Sequence, residues 1–172
     1  FEQLVSTSQD DKEKSLLLQT LGVIRDGEGN HEEAARQYRL CLEIAPDDWR
    51  TLNNLAYVLS DKLGRHEEAL PLARKAVAIR DEPTVRDTLA AVLIGLGKHR
   101  DAIGELRLVL DVLPDFLYGH LHLAEAYRRL GEFEQAGKSL ETAESLAGSG
   151  SEADRTKLAQ MRKKIDAGDS AP

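Results

Sequence analysis

The chain has 172 residues, 41% apolar and 31% charged, a composition that supports a folded core and excludes a disordered polyampholyte. Its net charge of -7 sets general repulsion against a nucleic-acid backbone, and its longest apolar run, Leu89 to Leu96, is too short to cross a bilayer. Aromatic residues are scarce at 5% and Cys41 is the single cysteine, so no internal disulfide forms and the core falls to Leu, Ala, Val and Ile, which favours an all-α chain.

In chain order, Phe1, Leu4 and Val5 have helical spacing, and Ser8 with Asp11 three residues on reads as a capping box. Residues 1–14 are taken as an N-terminal extension running into the first helix. The chain starts at Phe1 with no charged stretch ahead of an apolar one, and is read as a mature or partial chain whose targeting segment is out of view. Leu17, Leu18, Leu21 and Ile24 mark a helix ending near Asp26. Gly27-Glu28-Gly29-Asn30 is a turn, Ala34, Tyr38, Cys41, Leu42 and Ile44 mark a second helix, and Pro46-Asp47 stops it.

That pattern is then rewritten three times. Leu21, Leu55, Leu89 and Leu123 stand 34 residues apart, as do Gly97 and Gly131, and Ala102 and Ala136. Gly29 to Gly97 and Pro46 to Pro114 are each twice that distance. The four copies occupy 15–48, 49–82, 83–116 and 117–148. The second is irregular: it carries one extra residue before Gly64 and one fewer afterwards, so its helix pair is expected to be re-aimed. Pro71 falls inside its second helix, where it deletes a backbone hydrogen bond and is expected to bend the helix at up to ~3 kcal/mol. Residues 149–167 read as a linker and a capping helix with Leu158, Met161 and Ile165 as its apolar stripe, and 168–172 as a disordered tail.

A small residue in the first helix (Gly22, Ala56, Ala90, Ala124), Gly at the turn, Ala early in the second helix (Ala34, Ala69, Ala102, Ala136) and Pro at the end resemble the tetratricopeptide repeat. The resemblance implies an α-solenoid of antiparallel helix pairs, about nine helices in a right-handed superhelix, with the first helices lining a concave groove. The aromatic usual early in the first helix is replaced by Leu18, Leu52, Arg86 and His120.

Catalytic motifs fail on their own mechanics. Gly95-Leu96-Gly97-Lys98-His99 lacks the spacing, following hydroxyl and preceding strand of a phosphate-binding loop. His31-Glu32-Glu33 and His66-Glu67-Glu68 start like a zinc-protease helix, but Ala35 and Leu70 stand where the second histidine belongs. His31, His66 and His99 share one slot after the turn, filled by Phe133 in the fourth copy, which makes them structural. The expectation is a non-enzyme with no metal and no cofactor.

If the groove follows the family, the resemblance implies that its wall is built from Arg50, Asn53, Asn54 and Tyr57; from Asp87, Thr88 and Ala91, with Thr84 and Ile94; and from Tyr118, His122, Glu125 and Arg129, with Leu121. The first copy offers Leu16, Gln19, Thr20 and Val23. Asn side chains pair with both donors and acceptors of an extended peptide, and tyrosine supplies rigid contact area. Of the five positions matching the two-carboxylate clamp of heat-shock co-chaperones (Gln19, Val23, Asn54, Thr84, Thr88), only Asn54 agrees, which argues against a partner ending in Glu-Glu-Val-Asp. The reading is a non-catalytic scaffold, with a bacterial source expected, that holds a peptide or protein segment, without nucleic acid and without membrane insertion. Its alternatives are a self-assembling, homo-oligomeric module and a substrate-recruiting part of a larger enzyme. A soluble chain in either the cytoplasm or a bacterial periplasm fits.

Overall fold

The computed structural model describes residues 10–148, 151–169 and 171. Phe1, Leu4, Val5 and Ser8 lie outside them. The described chain is helical throughout its regular structure, with no strand, and divides into two compact units, one ending at Asp81 and the other beginning at Glu82.

The first unit holds α1 (Asp11–Gly27), α2 (His31–Ile44), α3 (Trp49–Tyr57), which continues as a π-helical turn over Val58–Lys62, and α4 (His66–Ile79). Asp10 caps α1 by accepting from the Lys12 amide at 3.0 Å, and Asp48 caps α3 through the Thr51 amide at 3.2 Å. The second unit holds α5 (Pro83–Gly95), α6 (His99–Val112), α7 (Leu117–Arg129), α8 (Phe133–Ala147) and α9 (Glu152–Asp166). Successive helices pair across tight turns whose glycines, Gly29, Gly64, Gly97 and Gly131, have φ of 78°, 66°, 73° and 75°, a region closed to most side chains.

The crossing points behave as their sequence slots require. Ala34, Ala69, Ala102 and Ala136 are each 0% exposed, because two helices approach there with room for one methyl group. Gly22 is smaller than its counterparts Ala56, Ala90 and Ala124 for a local reason: Tyr38 packs on it, where the equivalent positions hold Ala73, Leu106 and Leu140. The apolar stripe of α9 is seated, with Leu158 and Ile165 buried beside Leu121, Ala124, Ala136, Leu140 and Ala143 and with Met161 packed against them. Burial of such a leucine is worth about 1.5–3 kcal/mol.

The extra residue of the second copy is absorbed inside the helix. Leu63 N donates to Val58 O at 3.1 Å, five residues back, so the chain widens by one residue per turn over Val58–Lys62 instead of looping out. The turn bond that spans five residues elsewhere (Asn30 N to Arg25 O, Lys98 N to Leu93 O, Glu132 N to Tyr127 O) spans six here, from Arg65 N to Leu59 O at 2.7 Å. The missing residue comes out of the next connection: Ala45–Asp48 and Leu113–Phe116 each close a short Pro-Asp turn, whereas Arg80 and Glu82 are extended, at φ/ψ of -139°/97° and -123°/149°. Pro71 sits exposed within α4, which runs through it from His66 to Ile79.

The histidine slot has a partner five or six residues upstream. His31 Nδ1 lies 2.8 Å from the Asp26 carboxylate, and His66 Nδ1 lies 2.9 Å from the Ser60 hydroxyl, which clasps the end of the first helix to the start of the second. In the third copy the upstream slot is Ile94, and His99 Nδ1 is buried without a hydrogen bond among the described residues. In the fourth the pair is Arg128 and Phe133. Of the tail at 168–172, the described residues Gly168, Asp169 and Ala171 carry hydrogen bonds, with Gly168 at φ 63°, and residues 170 and 172 lie outside the described ones.

Candidate functional site

In the first unit the candidate residues lie on α1 and α3. Arg50 is exposed, its guanidinium 4.4 Å from the centre of the neighbouring Trp49 ring, a cation–π distance. Tyr57 is 37% exposed with the Lys62 ammonium 5.1 Å from its ring, and burial, only partly offset by Lys62, raises its pKa. Asn53 is half-buried, and its Oδ1 makes no hydrogen bond among the described residues.

Asn54 turns the other way, into the packing between helix pairs. Its side chain acts on the buried Tyr38 hydroxyl, whose pKa is pushed up to about 12 by burial and by the Asp26 charge, with Asn54 opposing. Gln19 and Asp48 form the second link: Gln19 Nε2 donates to the Asp48 carboxylate at 2.7 Å and to Thr51 Oγ1 at 2.9 Å, joining α1 to α3. Beside this link lies a depression of about 240 Å³ lined by Lys12, Ser15, Leu16, Gln19, Cys41, Ala45, Asp48 and Arg50. Leu16 is 62% exposed at its rim, whereas Cys41 is buried at its floor and donates to Ser15 O at 3.2 Å. Burial raises the pKa of that thiol, so it is held as a thiol and not as a nucleophile.

In the second unit the candidates engage one another. His122 Nδ1 lies 2.8 Å from Asp87 Oδ1 and bridges α7 to α5. Glu125 accepts from Arg129 Nε at 2.6 Å and from Arg128 Nε and Nη2 at 2.8 Å each. Burial works to raise the Glu125 pKa, but the two guanidinium groups together prevail and hold it below the usual carboxylate value. Tyr118 donates to the Asp154 carboxylate of α9 at 2.6 Å, and Lys157 stands 5.3 Å from its ring. Thr88 is buried and donates to Thr84 O at 3.3 Å, and Ala91 is half-buried. Ile94 and Leu121, named with the groove, are core residues at 8% and 7% exposure, because α5 and α7 bury those positions.

The partners of these side chains were not evident in the sequence. The spacings of the links, 29 and 32 residues for Gln19, 35 for His122 to Asp87 and 36 for Tyr118 to Asp154, all lie near one repeat length. Within each unit these links join α1 to α3, α5 to α7 and α7 to α9 at that offset, and this was the available signal. Among the described residues no group of three or more His, Cys, Asp or Glu side chains could hold a metal ion, and no helix is long and apolar enough to cross a membrane.

Comparison with known proteins follows the same lines. Models of the tetratricopeptide repeat match residues 17–48, 50–82 and 88–151. The TPR repeat-containing protein PA4667 of Pseudomonas aeruginosa is 30% identical over 100 residues, which is 58% of this chain and 17% of that protein. The TPR repeat-containing thioredoxin TTL4 of Arabidopsis thaliana is 35% identical over 78 residues, 45% of this chain and 11% of that protein. The chain thus spans less than a fifth of either curated relative. The crystal structure of TTC0263, a thermophilic TPR protein of Thermus thermophilus, superposes with a TM-score of 0.78 at 24% identity, over 88% of this chain and 82% of that one. With the repeat matched three times and the helix-pair fold shared along most of its length, the chain belongs to the tetratricopeptide repeat family, an all-α solenoid class of protein-interaction scaffolds.

Proposed function

We propose that this chain is a non-catalytic module that holds an extended, carboxylate-bearing segment of a partner protein against the first-helix face, anchored at the depression between α1 and α3. That depression carries the reading. It pairs an exposed apolar rim, Leu16, with two cations, Lys12 and Arg50, while the acidic side chain beside them, Asp48, is already occupied by Gln19 and Thr51. An extended chain needs such a combination: a pocket for one apolar side chain and a positive charge for an adjacent carboxylate. Tyr57 and Asn53 extend the same face with a ring and an amide oxygen.

The test is a peptide selection on the immobilised full chain, with the dissociation constant of each selected peptide measured by calorimetry. Replacing Leu16 and Arg50 together by Ala is expected to weaken binding at least tenfold. Selected peptides that bind this double variant with unchanged affinity, or a selection that yields none, would overturn the reading.

A second reading, self-association, is favoured by Leu108, Val112 and Leu113 of the second unit, which are 49%, 66% and 42% exposed around the end of α6. Light scattering across a concentration series, with Val112→Asp as control, decides it: a mass that stays monomeric removes it. The thioredoxin relative, in which this chain matches a small part, supports the third reading, a recruiting segment within a larger protein.

A further inference from the structure

Arg128 is the largest fully buried side chain of the described residues, and its burial has an unusual origin. In the first two copies the residue five after the repeated leucine grips the histidine beyond the turn, Asp26 on His31 and Ser60 on His66. In the fourth copy both have changed, and Phe133 offers Arg128 no acceptor. Nε and Nη2 of Arg128 are satisfied by the two oxygens of Glu125, each at 2.8 Å, in a bidentate pair. Nη1 remains, and it donates to two backbone carbonyls of the chain beyond α9, those of Asp169 and, at 2.9 Å, Ala171.

The chain is brought there by a reversal. Gly168 N and Asp169 N close the end of α9 on Ile165 O and Lys164 O at 2.9 and 3.0 Å, Gly168 takes φ 63°, and Ala171 N donates to the Asp169 carboxylate at 2.8 Å. This returning segment buries no large side chain: Gly168 and Ala171 are exposed and Asp169 is half-buried. Among the described residues, what holds it is a guanidinium edge read by two carbonyls two residues apart, with the Asp169 charge added by a side chain. Segments held by a few polar contacts open at low cost compared with packed helices.

We propose that Arg128 anchors a subsite for an extended acidic peptide, filled in this chain by its own Asp169 and Ala171 carbonyls and available to a segment of another protein when these withdraw. The requirement on the occupant is chemical: two acceptor carbonyls at alternate residues and a carboxylate between or beside them. It is independent of the depression in the first unit.

The experiment uses the full chain and its Gly168→Val variant, which forbids the reversal without touching Arg128, followed by NMR. The probe is an N-acetylated peptide of sequence Ala-Gly-Asp-Ser-Ala-Pro, that of residues 167–172. In the unsubstituted chain the amides of Asp169 and Ala171 are expected to be as rigid as those of α9. In the variant they become mobile, and the probe shifts the Arg128 Nε–H signal with at least tenfold greater affinity than in the unsubstituted chain. A probe that moves that signal equally in both chains, or in neither, overturns the proposal, as does a probe carrying Asn in place of Asp that binds equally well.

Discussion

The ring of Tyr38 stands where a side chain on Gly22 would begin: a Cβ there would lie 2.4 Å from Cε1 and 2.7 Å from Cδ1 of that ring. The two residues are one decision. A tyrosine on the second helix requires a glycine on the first, and the copies with Ala73, Leu106 or Leu140 in that place carry alanine opposite.

Gly22→Ala is therefore expected to destabilise the chain by about 1–3 kcal/mol, against the roughly 1 kcal/mol that alanine gains over glycine inside a helix. Adding Tyr38→Leu, the residue of the third and fourth copies, should recover most of that loss. Urea unfolding of the two single variants and the double variant measures the coupling, and strictly additive effects would show that the ring and the glycine do not compete for the same space.

Asn54 and Arg50 should separate stability from binding. Because Asn54 faces the buried Tyr38 hydroxyl, Asn54→Ala is expected to cost about 1 kcal/mol of stability and to leave peptide affinity within twofold. Arg50→Ala, at an exposed position, should do the reverse. Calorimetry and urea unfolding on the same two variants decide between these roles.

The imidazole of His99 gives the chain an acid-sensitive point. Burial first, then the charges of Arg129 and Arg128, hold its pKa below the ordinary 6.5, with Glu125 opposing in part. Between the folded value and 6.5 the unfolded chain binds more protons than the folded one, so stability falls as pH drops below about 6.5 and levels out beneath the folded value. His99→Phe, the residue in the matching slot of the fourth copy, should flatten that part of the profile. Unfolding free energies at pH 7.5 and 5.5 for both chains check it, and an identical difference in the two would remove His99 as the cause.

Pro71 deprives Glu67 O of its helical donor while remaining exposed itself. Pro71→Ala is expected to raise stability by about 1–3 kcal/mol, since the bond returns and little apolar burial is lost. A thermal midpoint that falls on substitution would mean that the proline is required by the packing of α4.

The fold was legible because each of its determinants repeats. Glycine turns, buried alanines and prolines recur at one period, so every copy corroborates the others, and residues such as Gly97, Lys98 and His99 resolve into a turn and the start of the next helix once aligned. The candidate face was legible only as positions. Which of them point outward, as Arg50 does, and which turn inward, as Asn54 does toward Tyr38, depends on pairings between neighbouring copies that no single copy encodes. The bond between Arg128 and the returning tail had no sequence signal, because backbone carbonyls accept regardless of the side chains they carry.

The π-helical turn at Val58–Lys62 has a consequence for how the copies can be exchanged. An insertion inside a helix and a deletion in the next connection cancel, so the third copy returns to the register of the first. A second copy transplanted without its shortened link at 80–82 would add one residue to the 34-residue spacing of the copies, whereas the third copy keeps that spacing by itself. The second copy and its link are compensating parts of one unit, although the period draws a line between them.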